Sequence, residues 1–167
     1  MVLSLAAQAV AIFLIVAAAI HDARHFRIGN RLILILIAVY LVARGAVGFP
    51  DWTDDLAGGA LLFVMGFAMW MLRVLGAGDA KLMLPLGALM GLTALAPFAI
   101  LLIGVSLIMY AAILIAHVAR ASNGFAGWLA AMRREGRVPY GVPLALASVP
   151  VLMLKAYFSL LTMQGGA

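Results

Sequence analysis

The chain has 167 residues, of which 67% are hydrophobic and only 10% charged, and it carries a net charge of +5 and no cysteine. A water-soluble domain has roughly 25% charged residues, so this composition cannot cover a globular surface and indicates an integral membrane protein. The lack of cysteine excludes disulfides, thiolate metal sites and a cysteine nucleophile.

Apolar segments follow one another along the whole chain and are separated by clusters of charge. A spanning helix needs about 20 mostly apolar residues, so the charged positions mark where spans end. The uncharged stretch 82–116 would reach roughly 50 Å as one helix, which exceeds the hydrocarbon thickness of about 30 Å, and it must therefore fold back near Gly91 and Pro97. The sequence predicts one all-α membrane domain, residues 1–167, with six transmembrane helices at about 2–20, 32–49, 56–72, 79–91, 97–118 and 140–163.

Basic residues are distributed unevenly over the two sides of this bundle. The first, third and fifth connections hold nine of the eleven lysines and arginines, and only Arg44 and Lys155, which we expect to snorkel, lie towards the other side. The positive-inside rule places those connections in the cytoplasm and both termini on the non-cytoplasmic side. Because the basic residues are spread over short loops, we expect anionic membrane lipid as their partner and no nucleic acid.

The fifth connection contains an apolar pattern at helical spacing. Phe125, Trp128, Leu129 and Met132 lie at positions i, i+3, i+4 and i+7. This pattern predicts a short amphipathic helix that anchors the connection on the inner leaflet, with admission of a substrate as the alternative role.

Two acidic residues stand at the predicted cytoplasmic ends of spans. Asp22 follows the first span and Asp79 begins the fourth, so we expect two carboxylates at similar depth although they are 57 positions apart. An ionisable residue at a membrane boundary is costly and is a candidate functional group. Since two neighbouring carboxylates cannot both ionise cheaply, one would remain a protonated general acid beside an ionised general base. Such a pair can activate water for attack on a peptide carbonyl.

Structural explanations for the same residues stay open at this point. Asp79 could cap the fourth helix, and Asp22 could form an ion pair with the arginines that follow it. Gly76 and Gly78 leave the backbone beside Asp79 uncovered, which lets an extended peptide or a neighbouring helix approach closely, or they only mark a turn.

Three motifs, in this order and spacing, resemble the type IV prepilin peptidases, which are integral membrane aspartyl proteases with a GxGD motif. The motifs are Arg27-Ile28-Gly29-Asn30 after Asp22, the turn Gly76-Ala77-Gly78-Asp79-Ala80-Lys81, and Val138-Pro139-Tyr140-Gly141-Val142-Pro143. The resemblance covers essentially the whole chain and implies that Asp22 and Asp79 are the catalytic pair. It also implies cleavage of the basic leader from prepilins at the cytoplasmic face of the bacterial inner membrane, next to a hydrophobic segment that stays in the membrane.

Other residues of these motifs are candidates for substrate binding or for structural support of the site. They are Gly76, Gly78, Asn30, Lys81, Pro139 and Gly141. A local break at the start of the last span would expose backbone groups that bind an extended substrate. We expect no metal and no other cofactor.

The chain departs from the family pattern at two points. Larger members carry an additional cytoplasmic part with paired cysteine motifs that is associated with methylation of the new N-terminus, whereas this chain resembles the short, peptidase-only members of tight-adherence, Flp-type pilus systems. Methylation is therefore not expected. Gly29 stands where the family commonly has proline, and glycine can keep the turn at a higher unfolded-state entropy.

Two other functions fit part of the sequence. His21 and His25 have the spacing of a zinc-binding H-E-x-x-H helix with Asp22 in place of glutamate, so a zinc-dependent membrane metalloprotease is an alternative, with Asp79 or His117 as a third ligand. Paired acids in a membrane also serve small proton- or cation-coupled transporters. A proton relay needs ionisable residues spaced through the bilayer, whereas the predicted third span has none and the predicted fifth span has none before His117, and this favours the peptidase.

Overall fold

The structure is a computed structural model that describes residues 2–120, 123–135 and 138–164, and these residues form helices and no strand. The helices are α1 (Val2–His25), α2 (Asn30–Gly45), α3 (Trp52–Met71), α4 (Ala77–Met90), a 3₁₀ turn (Leu92–Ala94), α5 (Leu95–Val118), α6 (Gly124–Glu135) and α7 (Gly141–Gln164). The prediction of an all-α protein is confirmed.

Within the described residues, four helices are long and apolar enough to cross a membrane. These segments are Leu3–His25, Trp52–Met71, Leu92–Val118 and Gly141–Leu161. By contrast α2 has 16 residues and α4 has 14, which correspond to about 24 and 21 Å of helix, shorter than a hydrocarbon layer of about 30 Å. The chain is therefore a multi-pass membrane protein, and the count of six spans stays a prediction.

The long apolar stretch folds back where the sequence predicts it. Gly91 ends α4 with a φ of +78°, a left-handed conformation that glycine adopts without strain. The 3₁₀ turn then reverses the chain, and Pro97 lies in the first turn of α5, where its missing N–H costs no helical hydrogen bond.

The first helix is longer than the predicted span 2–20. It continues to His25, and the Phe26 N–H donates to the Asp22 carbonyl over 2.7 Å. The sequence predicts a connection here because the side chains are too polar for hydrocarbon, but a helix that leaves the membrane still satisfies its own backbone groups. Asp22 therefore lies inside a helix and not after it.

Helices α1, α3 and α5 end at the same end of the bundle at which α2, α4 and α7 begin. Contacts between helix ends show this: Asp22 near the end of α1 meets Gly141 at the start of α7, and Lys81 near the start of α4 meets Asn30 at the start of α2. We call this the Asp22 end. The alternating directions place residues that are far apart in sequence side by side there.

Small residues hold α4 tightly against α3. The facing positions are Gly58, Gly59 and Gly66 on α3 and Ala80, Gly87 and Ala88 on α4. A Cβ atom added at Gly58 would lie 2.6 Å from the carbonyl carbon of Gly91, so only glycine fits there. Such small-residue contacts let two helix backbones approach closely, and here they fix the position of the helix that carries Asp79.

A buried ion cluster joins the helices at the opposite end. Asp55 on α3 is completely buried; the Arg44 guanidinium donates to its carboxylate, and the Tyr40 hydroxyl donates to it over 3.3 Å. Lys155 on α7 has its Nζ 3.9 Å from the Asp55 carboxylate and also donates to the last two carbonyls of α4, over 3.3 and 2.8 Å. The expectation that Arg44 and Lys155 snorkel is wrong, because both cations are paired inside the protein.

The predicted amphipathic helix forms as α6. Leu129 and Met132 are buried against Ile113 and Ala116 of α5, whereas Phe125 remains 73% exposed. The apolar face of α6 is thus used mainly for packing against the protein. Contact of this helix with a lipid leaflet stays a prediction.

Candidate active site

Asp22 and Asp79 face one cleft at the Asp22 end of the bundle. The cleft has a volume of about 480 Å³, and its walls are the last turn of α1, the loop before α2 and the first turn of α4. The two carboxylates are close enough for the charge of Asp22 to act on Asp79. The fold therefore brings together the two acids that the sequence places 57 positions apart.

The start of α7 holds the Asp22 carboxylate in place. Asp22 is 3% exposed, and its Oδ2 accepts a hydrogen bond of 2.9 Å from the backbone N–H of Gly141. The first N–H groups of a helix have no partner within the helix and carry a partial positive charge, so this contact suits a carboxylate. Of the described residues, it is Asp55 and not Asp22 that forms ion pairs, so the alternative in which Asp22 pairs with the following arginines does not apply.

Gly141 is required by this contact. A Cβ atom at position 141 would lie 2.9 Å from Oδ2 and 3.1 Å from Cβ of Asp22. Pro139, two residues earlier, is fully buried, and its carbonyl accepts the N–H of Val142 over 3.2 Å. Gly141 thus contacts Asp22, whereas Pro139 is buried before the start of α7 and does not line the cleft. Their supporting role in the site stays a prediction.

Asp79 is buried in the first turn of α4. The N-cap of this helix is Gly76, so the alternative in which Asp79 itself caps the helix does not apply. Asp79 is the third helical residue, and its carboxylate lies beside the N-cap residue Gly76. Its Oδ1 is buried and has no hydrogen-bond partner among the described residues. Buried polar atoms are seldom left unpaired, so this oxygen is an exception among the buried polar atoms of the described residues.

The two glycines before Asp79 admit parts of the protein itself. A Cβ atom at Gly76 would lie 2.7 Å from the Asp79 Oδ2, and one at Gly78 would lie 3.1 Å from the Ile28 side chain and carbonyl oxygen. The close approach predicted at these glycines is thus made by the Asp79 carboxylate and by the loop between α1 and α2. Both glycines also line the cleft.

Asn30 and Lys81 connect the starts of α2 and α4. The Lys81 Nζ donates to the Asn30 Oδ1 over 3.1 Å in an exposed contact. Asn30 lines the cleft and Lys81 does not. The pair holds two walls of the cleft together, so of these two candidates only Asn30 is placed to meet a substrate there.

The two histidines of the metal-site hypothesis stack on each other. The ring centroids of His21 and His25 are 4.3 Å apart, and His25 Nδ1 lies 3.1 Å from the His21 carbonyl oxygen. His21 lines the cleft beside Asp22. In the described part of the chain, no three His, Asp or Glu residues are grouped to hold a metal ion.

Two further apolar residues line the cleft: Ile28, which belongs to the motif before α2, and Phe26, which no sequence pattern marks as a site residue. Phe26 adopts a φ of +53° directly after α1, and it packs against the cluster of apolar side chains between α5 and α6. Ile28 contacts the start of α4 at Gly78. No sequence pattern predicts that an aromatic residue in a charged segment adopts a left-handed backbone conformation.

Comparison with known proteins agrees with the resemblance found in the motifs. Curated proteins and solved structures give no significant match to the chain. A model of the type IV leader peptidase family matches residues 9–120, which is more than half of the chain and includes both cleft aspartates. The segment that contributes Gly141 lies beyond the matched residues. The chain thus belongs to the type IV leader peptidase family and is a peptidase.

Proposed function

We propose that this peptidase removes the leader from type IV prepilins and that Asp22 and Asp79 are its catalytic residues. The observation that supports this most strongly is the shared cleft. It is lined by two buried carboxylates, one from α1 and one from α4, and the charge of Asp22 acts on Asp79. Family membership supports the prepilin leader as substrate. The buried, unpartnered Asp79 Oδ1 supports a role for Asp79 in contact with reacting groups.

The chemistry follows from two carboxyl groups that share one proton. The ionised carboxylate takes a proton from water as the water oxygen attacks the scissile carbonyl carbon, and the protonated carboxyl donates its proton to the carbonyl oxygen. The tetrahedral intermediate then collapses. One of its hydroxyl protons returns to the aspartate that protonated the carbonyl oxygen, the C–N bond breaks, and the leaving amine takes a proton from the aspartate that deprotonated the water. We assign the proton-donor role to Asp79. Its buried Oδ1 receives no hydrogen bond, so the ionised form of this carboxyl group costs more free energy and the protonated form is favoured.

We further propose that the Asp22 end faces the cytoplasm of a bacterium. Nine of the eleven lysines and arginines lie in the connections on this side of the predicted topology, and such residues concentrate in cytoplasmic loops. This orientation goes with six spans, both termini outside, and residence in the inner membrane. The leader stays in the cytoplasm when the hydrophobic segment of the prepilin inserts into the membrane, so the enzyme would cut it there.

The proposed substrates are small Flp-like prepilins. The chain has no cysteine and only short connections between its spans, which matches the peptidase-only type and gives no support to methylation of the product. Anionic lipid around the basic connections is the expected membrane partner.

Neutralising each aspartate in cells tests the proposal. We expect Asp22→Asn and Asp79→Asn each to abolish leader removal from a co-expressed Flp-type prepilin, because neither amide can transfer the required proton. Asp51→Asn is the matched control, since Asp51 is exposed and lies near the start of α3 at the opposite end. Immunoblots of membranes should show equal amounts of all four proteins. Full processing by either cleft variant would overturn the catalytic assignment.

A further inference from the structure

We infer that an apolar groove between α1 and α5 binds the hydrophobic helix of the precursor; this inference rests on the proposed function. The groove has a volume of about 660 Å³, and its lining includes Ala19 and Ala23 on α1, Ile108 and Ala112 on α5, and Ala145 and Leu146 on α7. We call it the α1–α5 groove. All the side chains that line it are apolar except for the indole N–H of Trp128.

The groove exists because two helices share a neighbour. Helices α1 and α5 each pack against α7, but they make no extensive contact with each other within the described residues. The surface of α7 therefore forms the floor of an open channel, with α1 and α5 as its walls. Trp128 of α6 closes one side, and Ile108 and Leu146 are 71% and 56% exposed. All three of the helices that form the floor and walls are long enough to span a membrane.

The lining fits a helix. Ala19, Ala23, Ala112 and Ala145 come from three different helices, and small residues let the backbone and side chains of a further helix approach closely. On α7 the groove extends from Val142 to Pro150, a length of about 12 Å. That length accommodates roughly two turns of an entering helix.

The groove leads to the two carboxylates. On α1, Ala23 lines the groove while its neighbour Asp22 lines the cleft, and on α7, Val142 lines the groove directly after Gly141, which holds Asp22. Phe26 lines the cleft and also packs against α5 and α6. A chain that leaves the groove at the Asp22 end therefore reaches the carboxylates past Phe26.

This order of surfaces matches the order of segments in the proposed substrate. A prepilin has a hydrophobic segment next to the bond that is cut, and beyond that bond a polar, basic leader. The hydrophobic segment in the α1–α5 groove places the bond beside Asp22 and Asp79, and the polar cleft accommodates the flanking residues. We therefore assign the groove to the precursor helix and not to a lipid chain.

Photo-crosslinking distinguishes the possible occupants. A photoreactive p-benzoylphenylalanine is placed at Ile108 in the groove or at Ile100, a residue of the same type on the same helix with the same 71% exposure outside it. In membranes with a co-expressed Flp-type prepilin, we expect covalent capture of the prepilin from position 108 and not from position 100. Equal capture from both positions, capture of lipid alone, or capture only of a second enzyme molecule would each overturn the inference.

Filling the groove provides a second measurement. We expect Ile108→Trp and Leu146→Trp to raise KM for the precursor by about tenfold with little change in kcat, because they obstruct binding and leave the carboxylates in place. The matched controls are Ile100→Trp and Leu154→Trp, at positions of similar exposure outside the groove. If the unaltered enzyme does not cut the precursor, the proposed function itself fails. If it does cut and all four variants have the same KM, only the groove assignment fails.

Discussion

Asp22 and Asp79 are positioned in different ways. Asp22 accepts a hydrogen bond from the start of α7, a helix that begins 119 residues later, whereas Asp79 lies in the first turn of its own helix beside Gly76. The position of Asp22 therefore depends on long-range packing, and that of Asp79 on local helix geometry. Variants that disturb α7 should affect the site mainly through Asp22.

Replacing Gly141 by alanine tests this dependence. The new Cβ would lie 2.9 Å from the Asp22 Oδ2, so the carboxylate or the start of α7 must shift. We expect leader cleavage to slow by about 10- to 100-fold, since small displacements of reacting groups have effects of that order. Gly104→Ala is the control, because a Cβ there meets nothing within 4 Å. Cleavage at the unaltered rate by Gly141→Ala would show that this contact does not position Asp22.

Gly29, where related peptidases commonly have proline, offers a stabilising substitution. Its φ of −74° and ψ of 141° suit proline, and an added Cβ meets nothing within 4 Å. We expect Gly29→Pro to raise the free energy of unfolding by about 0.4–1 kcal/mol, because the unfolded chain loses freedom. Denaturant titration in detergent measures the change. A loss of stability would mean that the loop before α2 needs the N–H or the mobility of glycine.

The two aspartates could be singled out from the sequence because charge is rare in this chain and therefore conspicuous. The contacts that hold these aspartates in place could not be predicted in the same way. The hydrogen bond from Gly141 to Asp22 depends on how α1 and α7 pack, and no local pattern at either residue encodes it. The place of Phe26 in the cleft could not be predicted, because its left-handed backbone conformation has no sequence signature.

Among the helices, α4 is the one whose position matters most for the site. It has only 14 residues and packs closely against α3 at glycine positions. Its last two carbonyls accept hydrogen bonds from Lys155. Asp55 joins this contact to α2 through Arg44. The ion cluster thus secures the end of α4 opposite to Asp79.

Removing the buried charge of Asp55 tests how much this cluster stabilises the bundle. Asp55→Asn leaves Arg44 and Lys155 without their partner, and breaking a buried ion pair in this way costs about 3 kcal/mol or more. Unfolding by denaturant in detergent measures the loss. The control is Asp54→Asn, since within the described residues Asp54 accepts exposed hydrogen bonds from Thr93 and should contribute about 1 kcal/mol or less. Equal stability of the two variants would exclude a stabilising role for the cluster.

The order of the helices along the chain could be predicted because charged residues and turn residues separate the apolar segments. The predicted start of α5 and the return at Gly91 lie within a few residues of the observed positions. The continuation of α1 through His25 could not be predicted. Polar side chains indicate that a segment lies outside the hydrocarbon layer, but they do not indicate that the helix ends there. The ion cluster could not be predicted either, because its members come from three helices and lie far apart in the sequence.

For the molecule as a whole, orientation in the membrane is the main property that the proposed function requires. The natural lack of cysteine makes it measurable with single introduced cysteines. Val47, between α2 and α3, and Val74, between α3 and α4, are both exposed and lie at opposite ends of the bundle. We expect a membrane-impermeant maleimide to label Val47→Cys in cells with a permeable outer membrane, and Val74→Cys only after the inner membrane is opened. The reverse labelling would place the cleft outside the cytoplasm.

The central claim is that Asp22 and Asp79 together cut a peptide bond, and cleavage by purified enzyme tests it most directly. The full chain in detergent is incubated with an Flp-type prepilin, and mass spectrometry identifies the products. We expect a single cut that releases the leader, a loss of rate of about 10³-fold or more in both Asp22→Asn and Asp79→Asn, and an unchanged rate in Asp51→Asn. Cleavage by either cleft variant at the rate of the unaltered enzyme would contradict the account.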